Sequence, residues 1–565
     1  MKADRARYTF KTDAALQQAA AQFQTLGSKS ALEIDLQAKT ITTAAPEFAE
    51  IGARYAADVF LMKGGKTVGR PELISKPFAE EALPKPKRGS LFGEVEVRPQ
   101  VKPWPEQKNI VSAPGVLKAG PVANTTVKSF SEYGRAEGLV IAWAGLVPGD
   151  KPVKSVLLPL IREVAKDDLA YVAVPPGQKA ELSRELEGAG VRMENVRFIE
   201  AELDTVWMRD YGPVFVHTMD GELQIVDMVY NRPWPKDDQF PLRFSEQTGI
   251  PLRKTDFINP GGNFIPAGKT LFMTDVVMDP WQGKPGAKDY YVPALENYTT
   301  EKVAQFAKET FGFEKVEILR DMVDDGTGHI DMFVNKIDDR TFLVGEYQPG
   351  EDAGNGNREI LDEAAAKLAQ AKNDKGEQYR VLRLPMVPKT PGGPTPTYTN
   401  ATTLNNKVLV PVYGLPQDEK ALEVYRKAMP DKEIVPLDSR DVIADDGAVH
   451  CITQVVMRAP VGVGHVPPPI EAGKPTRLKF EFDTEKPLEK ATVYWSTSPD
   501  GPFQSVELSR VAGNERQGDL SGQLPALEKG QSVYYFAHLE DEEGRSRTWP
   551  DKALRQGTAY RGDVG

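Results

Sequence analysis

Four short segments set polar, reactive side chains beside glycine in otherwise apolar sequence. They are Trp207-Met208-Arg209-Asp210-Tyr211-Gly212-Pro213, Asn259-Pro260-Gly261-Gly262-Asn263, Asp325-Gly326-Thr327-Gly328-His329-Ile330-Asp331 and Gly447-Ala448-Val449-His450-Cys451-Ile452-Thr453. Together they hold a nucleophile (Cys451), an acid–base group (His329) and two carboxylates (Asp210 and Asp331). Each has a plainer reading on its own. A lone cysteine is usually a small buried hydrophobe. His329 and Asp331 could share a structural hydrogen bond, and Arg209-Asp210 could be an ordinary ion pair. Asp324-Asp325 faintly suggests a calcium loop, but the regular ligand spacing and terminal Glu are missing.

Read jointly, the four groups suit one substrate chemistry. A guanidinium is planar, delocalised and charged near neutral pH, so its central carbon resists attack. Carboxylates match its fork of N–H donors. A thiolate is a better nucleophile than water. One histidine can protonate departing ammonia and then activate the incoming water. Neither a metal nor a cofactor is required. A cysteine protease or transglutaminase also uses Cys and His, but would leave the paired carboxylates without a cation to hold.

These loops need a scaffold. At 565 residues the chain exceeds one hydrophobic core. Its 40% hydrophobic and 27% charged content is that of a globular protein. No apolar run reaches the length of a membrane span. A net charge of −11 argues against nucleic acid and suits a cationic partner. The single cysteine excludes an intrachain disulfide or a cysteine-rich zinc site.

Residues 1–80 read as a small α+β region, with helical patterns at Ala14–Phe23 and Pro46–Met62 and strand-like alternation at Ala31–Thr42. Residues 81–125 are a proline-rich connector. Residues 126–458 repeat a strand–helix–strand rhythm, with units beginning near Leu139, Ile225, Leu271, Phe342 and Val408. Val303, Phe306, Ala307 and Phe311 share a helix face that ends at Gly312. Residues 465–565 follow a proline hinge and are purely β in pattern, as in an immunoglobulin-like sandwich. Leu478, Phe480 and Phe482 share one strand face there, and Asp500-Gly501 supplies a turn.

At its four loops the chain resembles the Porphyromonas-type peptidylarginine deiminases, which are grouped with the agmatine deiminases. The resemblance covers roughly residues 126–458 and extends to the following β-sandwich. It implies an α/β fold, the five-bladed ββαβ propeller called the pentein fold, with its site at the centre. It also implies that Cys451 forms a covalent thiouronium, that His329 is general acid and then base, and that Asp210 and Asp331 clamp the guanidinium. Asn400, in Tyr398-Thr399-Asn400, matches a family asparagine close to the thiol. Trp207, Arg232, Trp234 and Asn263 complete the expected substrate contacts.

Departures from the family pattern bear on substrate. Pro260 stands where agmatine deiminases commonly carry Glu, which favours peptidyl arginine. Arg232-Pro233-Trp234-Pro235 keeps one of the two arginines that grip a C-terminal carboxylate in the peptidyl type. Gly326 replaces a tyrosine three residues before the histidine, and Ala267 replaces an aspartate before Gly268. The expected activity is conversion of arginine in peptides or proteins to citrulline and ammonia. The alternatives are hydrolysis of agmatine or free arginine, and an inactive arginine-binding module. The start MKADRARYTF has no apolar leader. The appended sandwich points to a secreted or periplasmic setting, whereas a native start at Met1 would make the protein cytoplasmic.

Overall fold

The apolar runs that mark the five repeats become the central strands of five sheets. The computed structural model describes residues 109–278, 298–323, 325–388, 390 and 393–565, and as backbone strands 5–9, 32–35, 40–43, 58–63 and 66–69. The central strands are Ala136–Ala142, Leu223–Val229, Thr270–Thr274, Thr341–Glu346 and Lys407–Val412. Each pairs antiparallel with one neighbour and parallel with the next, a ββαβ pattern repeated five times. The parallel step needs a crossover, which the helices supply. They are Lys154–Val164, Phe240–Thr248, Thr300–Phe311, Asn357–Gln370 and Gln417–Ala428.

Local chemistry sets the helix ends. In Thr300–Phe311, the Thr299 side chain accepts the Lys302 N–H, and Gly312 ends the helix at φ 79°. Val303, Ala307 and Phe311 turn inward and are fully buried. The first sheet is completed from the far end of the five-unit region. Thr453–Met457 returns to pair antiparallel with Ala136–Ala142, so the residues just before Thr453 are carried to the ends of the first unit's strands. Leu139, Ile141, Phe215, Phe272, Val344, Leu409 and Ile452 belong to one continuous buried core drawn from all five units.

Beyond Pro460 the chain forms two facing antiparallel sheets. In Thr476–Thr484 the alternate residues Leu478, Phe480 and Phe482 are buried against Val493, Trp495, Val533 and Tyr535 of the opposite sheet. The stretch read as connector contributes here. Ile110–Ser112 pairs with Thr558–Asp563 as an edge strand, and Ala113 and Val116 are buried with Phe536 and Ala559. Arg555 joins this unit to the five-unit region, with Nε 2.7 Å from Asp220 Oδ2 and a further ion pair to Glu222.

The N-terminal strands form a five-stranded antiparallel sheet. The helix expected over Ala14–Phe23 lies outside the described residues. That expected over Pro46–Met62 is corrected at its end, because Asp58–Lys63 is a strand between two partners. Its run Val59-Phe60-Leu61 is β-favouring, and sheet pairing overrides the helical spacing.

Candidate active site

Asp210 lies in the short helix Met208–Tyr211, which is stitched to the cysteine loop by the Arg209 N–H donating to the Cys451 carbonyl at 3.0 Å. The Trp207 Nε1–H donates to the Leu146 carbonyl at 2.9 Å, and its ring lies against Gly447, where an added Cβ would come within 2.2 Å of it. Trp207 therefore braces the loop that presents the thiol.

The glycine pair supplies room. A Cβ on Gly262 would meet His329 Nδ1 at 2.6 Å, Asp210 Oδ1 at 2.8 Å and Asp331 Oδ2 at 3.2 Å. Three side chains from two segments thus converge on the bare Cα of a third. The Gly262 N–H donates to Asp210 Oδ1 at 3.1 Å. Asn263, expected to touch substrate, is fully buried, with Oδ1 accepting the Thr274 N–H at 2.8 Å and the Thr274 hydroxyl at 3.0 Å. These bonds tie Asn263 into the loop that holds Gly262.

Asp325 folds its carboxylate back onto the Thr327 and Gly328 N–H groups at 3.1 Å each, a turn that delivers His329. Asp324 lies outside the described residues, and Asp325 is engaged in turn bonding. Neither nitrogen of the buried His329 ring has a hydrogen-bond partner among the described residues, and Nδ1 is 3.4 Å from Asp210 Oδ1. Asp331 has one oxygen engaged and the other, Oδ1, buried without a partner among them. Orphaned polar atoms of this kind are costly, and they mark where a polar ligand would bind.

Cys451 is 2% exposed, with Sγ 3.7 Å from Asp331 Oδ2 and 3.2 Å from Asn400 Nδ2. Asn400 is fully buried, and its Oδ1 accepts the N–H groups of Ala448 at 3.1 Å and Cys451 at 3.2 Å. Burial, followed by the charges of Asp331 and Asp210, pushes the thiol well above its ordinary range. Burial likewise pushes Asp210 up, with Asp331 adding to it and His329 and Arg232 opposing. Arg232 is thus within electrostatic reach of the site. Trp234 stands two residues on, with its ring 6.0 Å from that of Tyr230.

Two participants had no functional reading in the sequence. His450 places Nδ1 2.7 Å from Asp331 Oδ2 and Nε2 2.9 Å from Glu132 Oε2. Glu132 in turn meets Arg209 Nη1 at 2.6 Å. Adjacency to Cys451 was the only available signal for His450, and Glu132 is one of 81 acidic residues.

Residues 129–456 match the family described as Porphyromonas-type peptidyl-arginine deiminase. The chain belongs to that family. This deiminase is 23% identical over 341 residues to the agmatine deiminase of Pseudomonas putida, covering 54% of this chain and 88% of that one. It is 28% identical over 338 residues, with the same coverages, to a Mycoplasma mycoides subsp. mycoides SC protein that carries a provisional agmatine deiminase name. Its fold is similar to that of a solved agmatine deiminase of Enterococcus faecalis, with TM-score 0.51, 23% identity, 59% of this chain and 96% of that one covered. The deiminase is accordingly a hydrolase of guanidino groups built on the pentein α/β fold.

Proposed function

We propose that Cys451 attacks the central carbon of a guanidinium held between Asp210 and Asp331, and that the substrate is a small alkylguanidine of the agmatine type. The observation that carries the chemistry is the convergence of His329, Asp210 and Asp331 on Gly262, with the Cys451 sulfur beside Asp331. Before substrate binds, burial and the two acids favour the neutral thiol. A guanidinium settling between the acids offsets their field and lowers the cost of the thiolate.

Cys451 gives its proton to His329, and the sulfur lone pair forms a C–S bond, giving a neutral tetrahedral adduct. His329, protonated, delivers its proton to one amino nitrogen, which leaves as ammonia with the C–N bonding pair. A cationic thiouronium remains. Neutral His329 then takes a proton from water, and the hydroxide adds to the same carbon. The C–S bond breaks, sulfur recovers its electron pair, the hydroxyl proton passes to solvent, and the neutral ureido product departs. Asn400 Nδ2 is placed to donate to the sulfur whenever it is anionic.

Agmatine stands first because the curated relatives carry that name along most of their own length, and because the reactive heads are almost fully buried, which suits a slender substrate. Peptidyl arginine is the second reading, and Arg232 favours it. A guanidinium near Asp210 would attract a carboxylate and oppose the ammonium of agmatine. Comparing kcat/KM on agmatine, free arginine and blocked arginine peptides separates the two. Agmatine should be turned over most efficiently, and a clear preference for peptides would reverse the assignment.

A further inference from the structure

Asp331 does not stand alone in the site. Its Oδ2 is bound by His450 Nδ1 at 2.7 Å, and the opposite nitrogen of the same ring reaches Glu132 at 2.9 Å. Only a doubly protonated imidazole can donate to two carboxylates at once. Arg209, almost fully buried, fixes the outer end by pairing with Glu132, and its Nε lies 3.4 Å from the His450 carbonyl. The result is an alternating chain of charges: Arg209, Glu132, His450, Asp331.

We propose that Glu132 and His450 are positioning residues that hold Asp331 by Oδ2, the oxygen beside Gly262 and the Cys451 sulfur, and leave Oδ1, which has no hydrogen-bond partner among the described residues, for the substrate guanidinium. This rests on the reading of Asp331 as a guanidinium clamp. An aspartate free to rotate would share its oxygens among other donors, and its bond to the substrate would be less directed. The imidazolium also compensates one of the two acidic charges lying next to the sulfur. Burial and Arg209 push His450 down, but Glu132 and Asp331 outweigh them and the ring titrates above its ordinary value. Against its own burial, Glu132 is drawn down to about 2 by Arg209 and His450. The outer end meets solvent through a cavity that Glu132 and Arg209 share with Phe215, Phe264 and Gln454; Asp210, His329, Asp331 and Cys451 are absent from its lining.

The charged groups facing His450 are Glu132, Asp331 and Arg209, and the Cys451 thiol is its neighbour in the chain. Replacing Glu132 by Gln removes one carboxylate, so the imidazolium loses its proton at a lower pH. The test measures kcat, KM and the pH profile of kcat/KM on agmatine and on arginine peptides for Glu132→Gln, His450→Asn and Asp331→Asn. Expected for Glu132→Gln is a KM raised roughly tenfold with kcat changed less, and an alkaline limb displaced to lower pH. His450→Asn keeps a donor toward Asp331 but not toward Glu132, and should lose the displaced limb while retaining part of the affinity. An unmoved alkaline limb with unmoved KM in Glu132→Gln overturns the proposal, as does a uniform loss of rate at every pH. If His450→Asn does not fold, Glu132→Gln decides, since Glu132 is partly exposed and the exchange is isosteric. If Asp331→Asn leaves KM intact, the clamp reading itself falls. If Asp331→Asn raises KM and the other two do not, only the relay falls.

Discussion

The Nδ2 of Asn400 stands 3.2 Å from the Cys451 sulfur, while its Oδ1 accepts the backbone N–H of that same cysteine. One amide thus fixes the loop and addresses the reacting atom. Asn400→Asp keeps the acceptor, removes the donor and adds a negative charge. It should lower kcat by roughly tenfold or more with a small change in Tm. Asn400→Ala instead strands two buried N–H groups and should cost about 1–3 kcal/mol of stability as well. Steady-state rates paired with thermal melts separate the two effects.

Gly262 has no room for a side chain. A Cβ would lie 2.6 Å from His329 Nδ1 and 2.8 Å from Asp210 Oδ1, so one or both must move. Gly262→Ala should reduce kcat/KM by about a hundredfold, because sub-ångström misplacement of reacting groups is expensive. The circular dichroism spectrum should match that of the parent.

Sequence legibility followed the lengths of the elements. The central strands carry continuous apolar runs, such as Leu139 to Ala142 and Val408 to Val410, because both faces are covered. Their hairpin partners Ile265–Ala267, Val334–Lys336 and Thr402–Leu404 have three residues each, too few for a period to emerge. Ile110–Ser112 was equally silent, since its partner lies at the far end of the chain. In the site, Cys451, His329, Asp210 and Asp331 were legible because reactive types sit beside glycine. Glu132 had no local mark among so many acidic residues.

The thiol should be unreactive in the free protein at neutral pH. Burial and then the two acids hold its proton, so alkylation by iodoacetamide should accelerate only above the pH at which an ordinary cysteine ionises. Asp331→Asn removes one of those charges, so its thiol ionises at lower pH. The alkylation rate at pH 7 should rise about tenfold for each unit by which the pKa falls. Rate against pH for both proteins checks the sign.

Arg232 should steer substrate choice through its charge at Asp210. Arg232→Gln removes a cation that opposes the ammonium of agmatine. The ratio of kcat/KM on agmatine to that on an arginine peptide should rise roughly tenfold.

Turnover by Cys451→Ala bears most directly on whether sulfur is the nucleophile. The parent should release one ammonia per ureido product from its guanidino substrate. The variant, with a melting curve close to the parent's, should lose on the order of 10⁴-fold or more in kcat. A variant that kept its rate within tenfold of the parent would contradict attack by Cys451.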